Sequence, residues 1–317
     1  MDRRKFIGAL AALGFAGAFE GASASSLFAA SPAKAGKAGR KCHGRFDDNL
    51  VVLLSDMHTN PDGYQPDKCR RVIADILAMK PLPRNVVTFG DLAYLTGKPE
   101  EYALAKEIFA PLEEAGIKVT HGMGNHDRRE TFAAAFPDKA AESLFPGRMV
   151  FKVETPAADI LMLDSLQQGE DDSKWITPGA LGDGQIDWLR KTLETYPKPI
   201  FVASHHPLEE VGIGRMLLES PACCGYIHGH NHVWRPSWIH KSYRNVNILR
   251  TLCLPSTGHW GDIGYTTFRI SENVAVAQIR EYEFFFPNDQ PVESSAQWGL
   301  INADNDGAVC TFTLKRQ

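Results

Sequence analysis

From Asn49 onward the chain alternates short apolar runs with longer stretches of helical spacing. Leu50, Val51, Val52, Leu53 and Leu54 follow one another without a polar break, the pattern of a strand buried on both faces, over Asn49–Ser55. Between Asp67 and Met79, the residues Cys69, Val72, Ile73, Ile76 and Leu77 fall on one stripe, which predicts a helix that Pro81 and Pro83 stop. The same alternation repeats. A strand is predicted over Asn85–Phe89, then a helix over Glu100–Ala115 that turns Tyr102, Ala105, Ile108, Phe109 and Leu112 inward and ends at Gly116. A third strand follows over Ile117–Met123. Strands separated by helices imply parallel pairing and an α/β sheet covered on both faces.

The second half reads differently. Met149–Val153 and Ile160–Leu163 have the pattern of a hairpin, Gln185–Leu193 that of a helix, and Ile200–Ser204 and Tyr226–His228 that of short strands. Val246–Leu252, Tyr265–Ile270 and Val274–Arg280 are further strand candidates, so a second sheet is expected to pack on the first.

The 317 residues are 44% hydrophobic and 23% charged, with a net charge of −4. That is ordinary globular composition, and it lacks the basic field of a nucleic-acid binder, so no stable nucleic-acid complex is expected. Residues 1–30 stand apart. Asp2-Arg3-Arg4-Lys5-Phe6-Ile7 resembles a twin-arginine export signal, followed by an apolar run from Phe6 to Phe19 that Glu20 breaks before it could span a bilayer. Ala22-Ser23-Ala24 offers a cleavage site, with Ala33-Lys34-Ala35 as a later option; a buried N-terminal helix or an uncleaved anchor are the other readings. The expected organisation is a signal over 1–30, a linker over 31–48 and one domain over 49–317, with no membrane span in the mature form. The expected partner is the twin-arginine machinery, which carries folded passengers, and the destination is the periplasm or the exterior. The six cysteines show no Cys-x-x-Cys spacing, which argues against a cysteine zinc site and leaves any disulfide pairing open. Cys223 and Cys224, in an apolar run, read as small buried residues.

Polar clusters stand at the ends of the predicted strands. The first strand ends in Asp56-Met57-His58, the second in Gly90-Asp91 and the third in Gly124-Asn125-His126-Asp127. Later come Val202-Ala203-Ser204-His205 and Gly229-His230-Asn231-His232. Ligands of open α/β sheets bind beyond the carboxyl ends of strands, so these distant groups can converge. Imidazole, carboxylate and amide oxygen suit manganese, iron or zinc, and an aspartate can bridge two ions with its two oxygens. Glycines ahead of Asp91, Asn125 and His230 are expected to let the backbone turn sharply there.

Asp-x-His, Gly-Asp, Gly-Asn-His-Asp, a later His and Gly-His-x-His, in that order over residues 49–260, resemble the calcineurin-like metallophosphoesterases. The five-part order is specific where any one part alone is weak. The resemblance implies a four-layer α/β/β/α sandwich with two face-to-face mixed sheets, and hydrolysis of a small phosphoester by a hydroxide held between two metal ions. It assigns Asp56, His58 and His232 to one metal, Asn125, His205 and His230 to the other, and Asp91 to both. His126 would contact the substrate and either protonate the leaving oxygen or stabilise its charge, with Asp127 orienting its ring.

Finer likenesses qualify this. Gly124 to Arg129 resembles class III cyclic-nucleotide phosphodiesterases, in which Arg129 either faces the phosphate or fixes its loop; this favours diesters. Gly90-Asp91-Leu92-Ala93-Tyr94 is similar to the Gly-Asp-x-x-Tyr element of purple acid phosphatases, a phosphomonoesterase alternative. That group lacks the histidine found at His58, so Tyr94 is read as packing beside the metal. A nuclease and a metal-holding protein without turnover complete the alternatives. His206 lines the pocket or hydrogen-bonds nearby, and His228 packs beside the centre. Trp234, His259 and Trp260 form either a pocket floor or core, and Phe284–Phe286 either core or a subunit contact. His43, His121 and His240 read as structural or exposed.

Overall fold

The computed structural model describes residues 44–314, apart from 172, 243–244 and 287–304. The expected signal, most of the linker, Cys42 and His43 lie outside the described residues, as does the side chain of His240. The five cysteines within them are all buried.

Two six-stranded sheets make up the domain. In the first, β1 (Phe46–Leu54), β2 (Leu82–Thr88) and β3 (Lys118–His121) run parallel, linked by α1 (Gln65–Ala78) and α2 (Pro99–Glu114). Strand β1 starts three residues before the predicted one, because Phe46 and Asp47 already pair with Leu82 and Pro83. The second sheet has β5 (Asp159–Met162), β6 (Ile200–Ala203), β7 (Cys223–His228) and β9 (Asn245–Cys253) in parallel, with β4 (Phe151–Val153) and β8 (Arg235–Ser242) antiparallel at its edges.

The late strands do not all join the second sheet, as the sequence pattern implied. β10 (Gly261–Ile270) pairs antiparallel with β1, and β11 (Val274–Phe285) and β12 (Val309–Thr313) extend the first sheet from there. The expected layering is otherwise met: α1 and α2 cover the first sheet, and α5 (Asp183–Glu194) and α7 (Gly214–Glu219) cover the second. Short helices α3 (Arg129–Ala135), α4 (Pro137–Ala141) and α6 (Leu208–Val211) carry too few turns for a periodic pattern to reveal them.

Period-two alternation sorts the second sheet between two cores. On β6, Phe201 and Ala203 face the space between the sheets, while Ile200 and Val202 face the helices. Between the sheets Phe201 meets Phe268 and Phe312 edge-on, with centroids 5.0 and 5.4 Å away. This rigid stack sets the position of one sheet's strand ends against the other's.

Candidate metal centre

The carboxyl ends of β1, β2, β3, β6 and β7 open onto one place, where the structure gathers all seven of the expected ligand residues. Each is almost completely buried. Oδ1 of Asp56 lies 3.1 Å from His232 Nε2, and Oδ2 of Asp91 lies 3.4 Å from His58 Nε2. A second set closes around His205, whose Nε2 is 3.1 Å from Asn125 Oδ1, 3.2 Å from His230 Nδ1 and 3.2 Å from Asp91 Oδ2. His230 Nδ1 is in turn 3.0 Å from Asn125 Oδ1.

Asp91 faces both sets with one oxygen rather than two. Its Oδ1 accepts the backbone N–H of His126 at 2.9 Å, which leaves Oδ2 alone between His58 and His205. Asp56 is divided in the same way: Oδ2 accepts the N–H of His230 at 3.1 Å, and Oδ1 is left to the cluster.

Three rings are fixed from behind. His58 Nδ1 donates to the Tyr94 carbonyl at 2.9 Å, His205 Nδ1 to that of Phe89 at 2.8 Å and His232 Nδ1 to that of Trp260 at 3.0 Å. Each bond sets the tautomer that frees Nε2 as a lone-pair donor. The cluster thereby crowds electron pairs that hydrogen bonds cannot satisfy. Buried Asp56 Oδ1 and His58 Nε2 have no hydrogen-bond partner, and His205 Nε2 has three acceptors around it. Cations resolve this. An ion about 2.0–2.2 Å from two donors holds them about 3.0–3.4 Å apart, the separations seen here. The donor set therefore fits two cations that share Asp91.

Protonation states agree with that fit. Burial opposes ionisation of Asp56 and Asp91, but the surrounding imidazoles overcome it and hold both carboxyls well below their usual range. Burial lowers His230 to about 3 and holds His58 well below its ordinary value, so both stay neutral. His205 is the exception. Burial lowers it too, yet the carboxylates of Asp91 and Asp56 lift it to about 9.

The backbone is bent to reach this arrangement. Among the described residues, the five non-glycines with left-handed backbone are Asp56, His58, Asp91, His230 and His232, with φ between 47° and 70°. Such residues occur where the surroundings over-determine them. Of the three glycines expected to supply turns, only Gly90 has positive φ, at 95°. Gly124 serves close approach instead: a Cβ there would stand 2.2 Å from Asp91 Oδ1.

Two expected roles are corrected. Asp127 does not orient the His126 ring, whose Nδ1 donates to the Leu95 carbonyl at 2.9 Å. Its Oδ1 accepts from Ala93 N–H and Tyr102 O–H, both at 3.0 Å, and its Oδ2 from Gly124 N–H at 2.9 Å and Leu92 N–H at 3.3 Å. Asp127 thus ties the Gly-Asp loop to the Gly-Asn-His loop. Arg129 does not face the centre; it forks onto Asp164 through Nε and Nη2 at 2.7 and 2.8 Å, with Nη2 also on the Leu166 carbonyl, and so fixes its loop.

His206 brings a ring nitrogen within 4.8 Å of nitrogens of His205 and His230, but both its nitrogens have partners of their own. Its Nδ1 is 2.8 Å from Ser165 Oγ and its Nε2 3.0 Å from the Thr177 carbonyl, so both ring atoms are used. His228 turns Nδ1 to the Gly229 carbonyl, and His121 packs in the core against Thr88 and Phe109. Trp234 belongs to the core, whereas His259 and Trp260 flank the donors, with ring centroids 4.2 Å from His58 and 4.0 Å from His232. Phe285 and Phe286 continue that flank through Tyr64 and Trp260. Tyr94 meets His58 with the edge of its ring, 6.5 Å away, consistent with packing.

The pattern along the chain did not single out Trp175, whose ring lies 4.9 Å from that of His126. It sits in an irregular segment without periodicity, and an isolated exposed aromatic is the only mark it leaves.

A two-sheet sandwich that opens paired carboxylates and imidazoles at its strand ends defines a dimetal-type hydrolase architecture. The chain belongs to the calcineurin-like phosphoesterase family, whose model matches residues 50–234. It is 30% identical over 175 residues to a probable cyclic nucleotide phosphodiesterase of Rhodopseudomonas palustris, a match covering 52% of this chain and 60% of that protein. A probable cyclic nucleotide phosphodiesterase of Psychrobacter arcticus is 23% identical over 237 residues, covering 72% of this chain and 75% of its own length. Among solved structures, a dimetal phosphatase from Danio rerio superposes with a TM-score of 0.57 at 14% identity, over 73% of this chain and 96% of its own. PhoD does so with a TM-score of 0.52 at 12% identity, over 84% and 69%. These two likenesses are of fold.

The bracing role of Asp127 is open to test. Asn in its place offers one acceptor oxygen to a site with four donors, and a buried orphan donor costs roughly 1–3 kcal/mol. Asp127→Asn is expected to lower unfolding stability by at least that much in urea titration; unchanged stability would show that the two loops do not depend on this carboxylate.

Proposed function

We propose that the protein hydrolyses small phosphoesters with two divalent or mixed-valence cations of manganese, iron or zinc, and that it prefers diesters. The observation carrying this reading is the single oxygen of Asp91 set between two groups of buried donors. Asp56, His58 and His232 would hold one cation and Asn125, His205 and His230 the other. When bound, such a pair neutralises charge at phosphorus and acidifies the water that attacks it.

The chain's own residues supply the rest. His126 Nδ1–H is committed to the Leu95 carbonyl, so the proton it would give the leaving oxygen is the Nε2 proton of its imidazolium form. Burial lowers the ring's pKa, which disfavours that cation at rest and favours its release of the proton. Its backbone N–H holds Asp91 Oδ1, which couples the placement of the proton donor to that of the shared carboxylate. With Arg129 engaged by Asp164, the diester preference rests on the two relatives named as probable cyclic nucleotide phosphodiesterases. A metal-holding protein without turnover is disfavoured, since seven donors and His126 are all present.

We also infer export through the twin-arginine machinery to the periplasm or beyond, supported by Arg3-Arg4 and the apolar run after it. Among the described residues, no helix is long and apolar enough to cross a membrane.

Three outcomes are expected. His126→Ala should keep two metal equivalents by elemental analysis and lose about a hundred- to ten-thousandfold in kcat on substrates with poor leaving groups; normal turnover would remove His126 from the chemistry. Bis-p-nitrophenyl phosphate should be cleaved faster than p-nitrophenyl phosphate, and the reverse order would make the protein a monoesterase. Replacing Arg3 and Arg4 together by Lys should retain the protein in the cytoplasm on fractionation, and continued export would refute the route.

A further inference from the structure

Two side chains close in sequence to the centre's residues hold the same loop. Arg128, beside Asp127, donates through Nη2 to the carbonyls of Asp171 and Lys174 at 2.8 and 3.4 Å. His206, beside His205, places Nε2 3.0 Å from the carbonyl of Thr177. The loop is also pinned at its base, where Gln167 donates to the Pro178 carbonyl and Gly179 N–H to Glu210, both at 2.8 Å. Within it, Asp171 accepts from the N–H and hydroxyl of Ser173 and pairs with Lys174. These bonds fix backbone, and what they present is Trp175.

Trp175 lies beside the proton donor, its ring inclined 37° to that of His126 at a centroid distance of 4.9 Å. It nevertheless keeps 43% of its surface in solvent. Leu95, whose carbonyl holds the His126 ring, is 37% exposed, and so is Ile176. Among the described residues seven large hydrophobics are this exposed, and three of them touch His126 or adjoin a residue that does. A loop held at these points that leaves the Trp175 indole part-exposed beside His126 presents a stacking surface. The position is the informative part, because the group next to His126 during turnover is the one that departs.

We propose that Trp175 selects the leaving group by stacking on a flat aromatic ring carried by the departing alcohol. This rests on the phosphoester-hydrolase reading above and on His126 as the donor to the leaving oxygen. A simple aryl group and a nucleobase share the required flat π-face, and ligand choice separates them.

The test uses the full chain loaded with manganese, and ligand pairs matched in charge and reach but not in flatness. Binding of benzylphosphonate and cyclohexylmethylphosphonate is measured by calorimetry. Release of alcohol from benzyl methyl phosphate and cyclohexylmethyl methyl phosphate, whose leaving alcohols have similar basicity, gives kcat/KM. Stacking of one ring on an aromatic side chain is worth about 1–3 kcal/mol, so Trp175→Ala should weaken the benzyl compounds by about tenfold in both measurements. The cyclohexylmethyl compounds should change by less than about threefold, and Trp175→Phe should recover most of the loss. Equal losses for flat and puckered groups, no loss at all, or failure of Phe to rescue would each overturn the assignment. Adenosine 3′-monophosphate identifies the source: a larger loss for it than for benzylphosphonate points to a nucleobase, and a smaller one to an aryl group. Failure of the wild-type protein to release alcohol from any ester would instead sink the hydrolase reading itself.

Discussion

One carboxylate oxygen organises this site. Oδ2 of Asp91 must stand between donors from both sheets, and the surrounding loops are shaped so that it can. Five donor residues accept left-handed backbone for this, at a cost on the order of 1–3 kcal/mol each. Their sum is of the same order as the net stability of a whole domain. Such conformations persist only because the strands on either side leave the chain no alternative: β1 is buried on both faces from Leu50 to Leu54, and β6 and β7 are buried along their whole lengths.

Around the donors lies a layer of side chains whose work is to hold loops to one another. Asp127 joins the Gly-Asp turn to the Gly-Asn-His turn, Arg129 anchors the start of α3 to Asp164, and Arg128 and His206 reach the segment after Leu166. All four adjoin an expected ligand or the proton donor or lie within three residues of one. Proximity in sequence therefore marks two populations: residues that face the cations, and residues that keep those faces in register.

The donors were legible because their chemistry and order are both unusual. Asp56, His58, Asp91, Asn125, His205, His230 and His232 each follow a strand, and strands announce themselves by unbroken apolar runs. The parallel half of the first sheet was legible for the same reason. What escaped depends on tertiary contact. Nothing local tells β10 to pair with β1 rather than with the second sheet, since strand partners are set by packing. The roles of Asp127 and Arg129 turned on hydrogen bonds to Ala93 and Asp164, about 35 residues away, which spacing does not encode. Trp175 lies in a stretch without period, so its relation to His126 has no trace along the chain.

The return of β10 to the side of β1 has a temporal consequence. During synthesis β1, β2 and β3 emerge early, yet β1 keeps one open edge until residues 261–270 have left the ribosome. An unpaired apolar strand is a ready template for wrong partners. The nascent chain thus carries one edge of an apolar strand unpaired for most of translation, and closing that sheet joins the two ends of the domain in a late, long-range event.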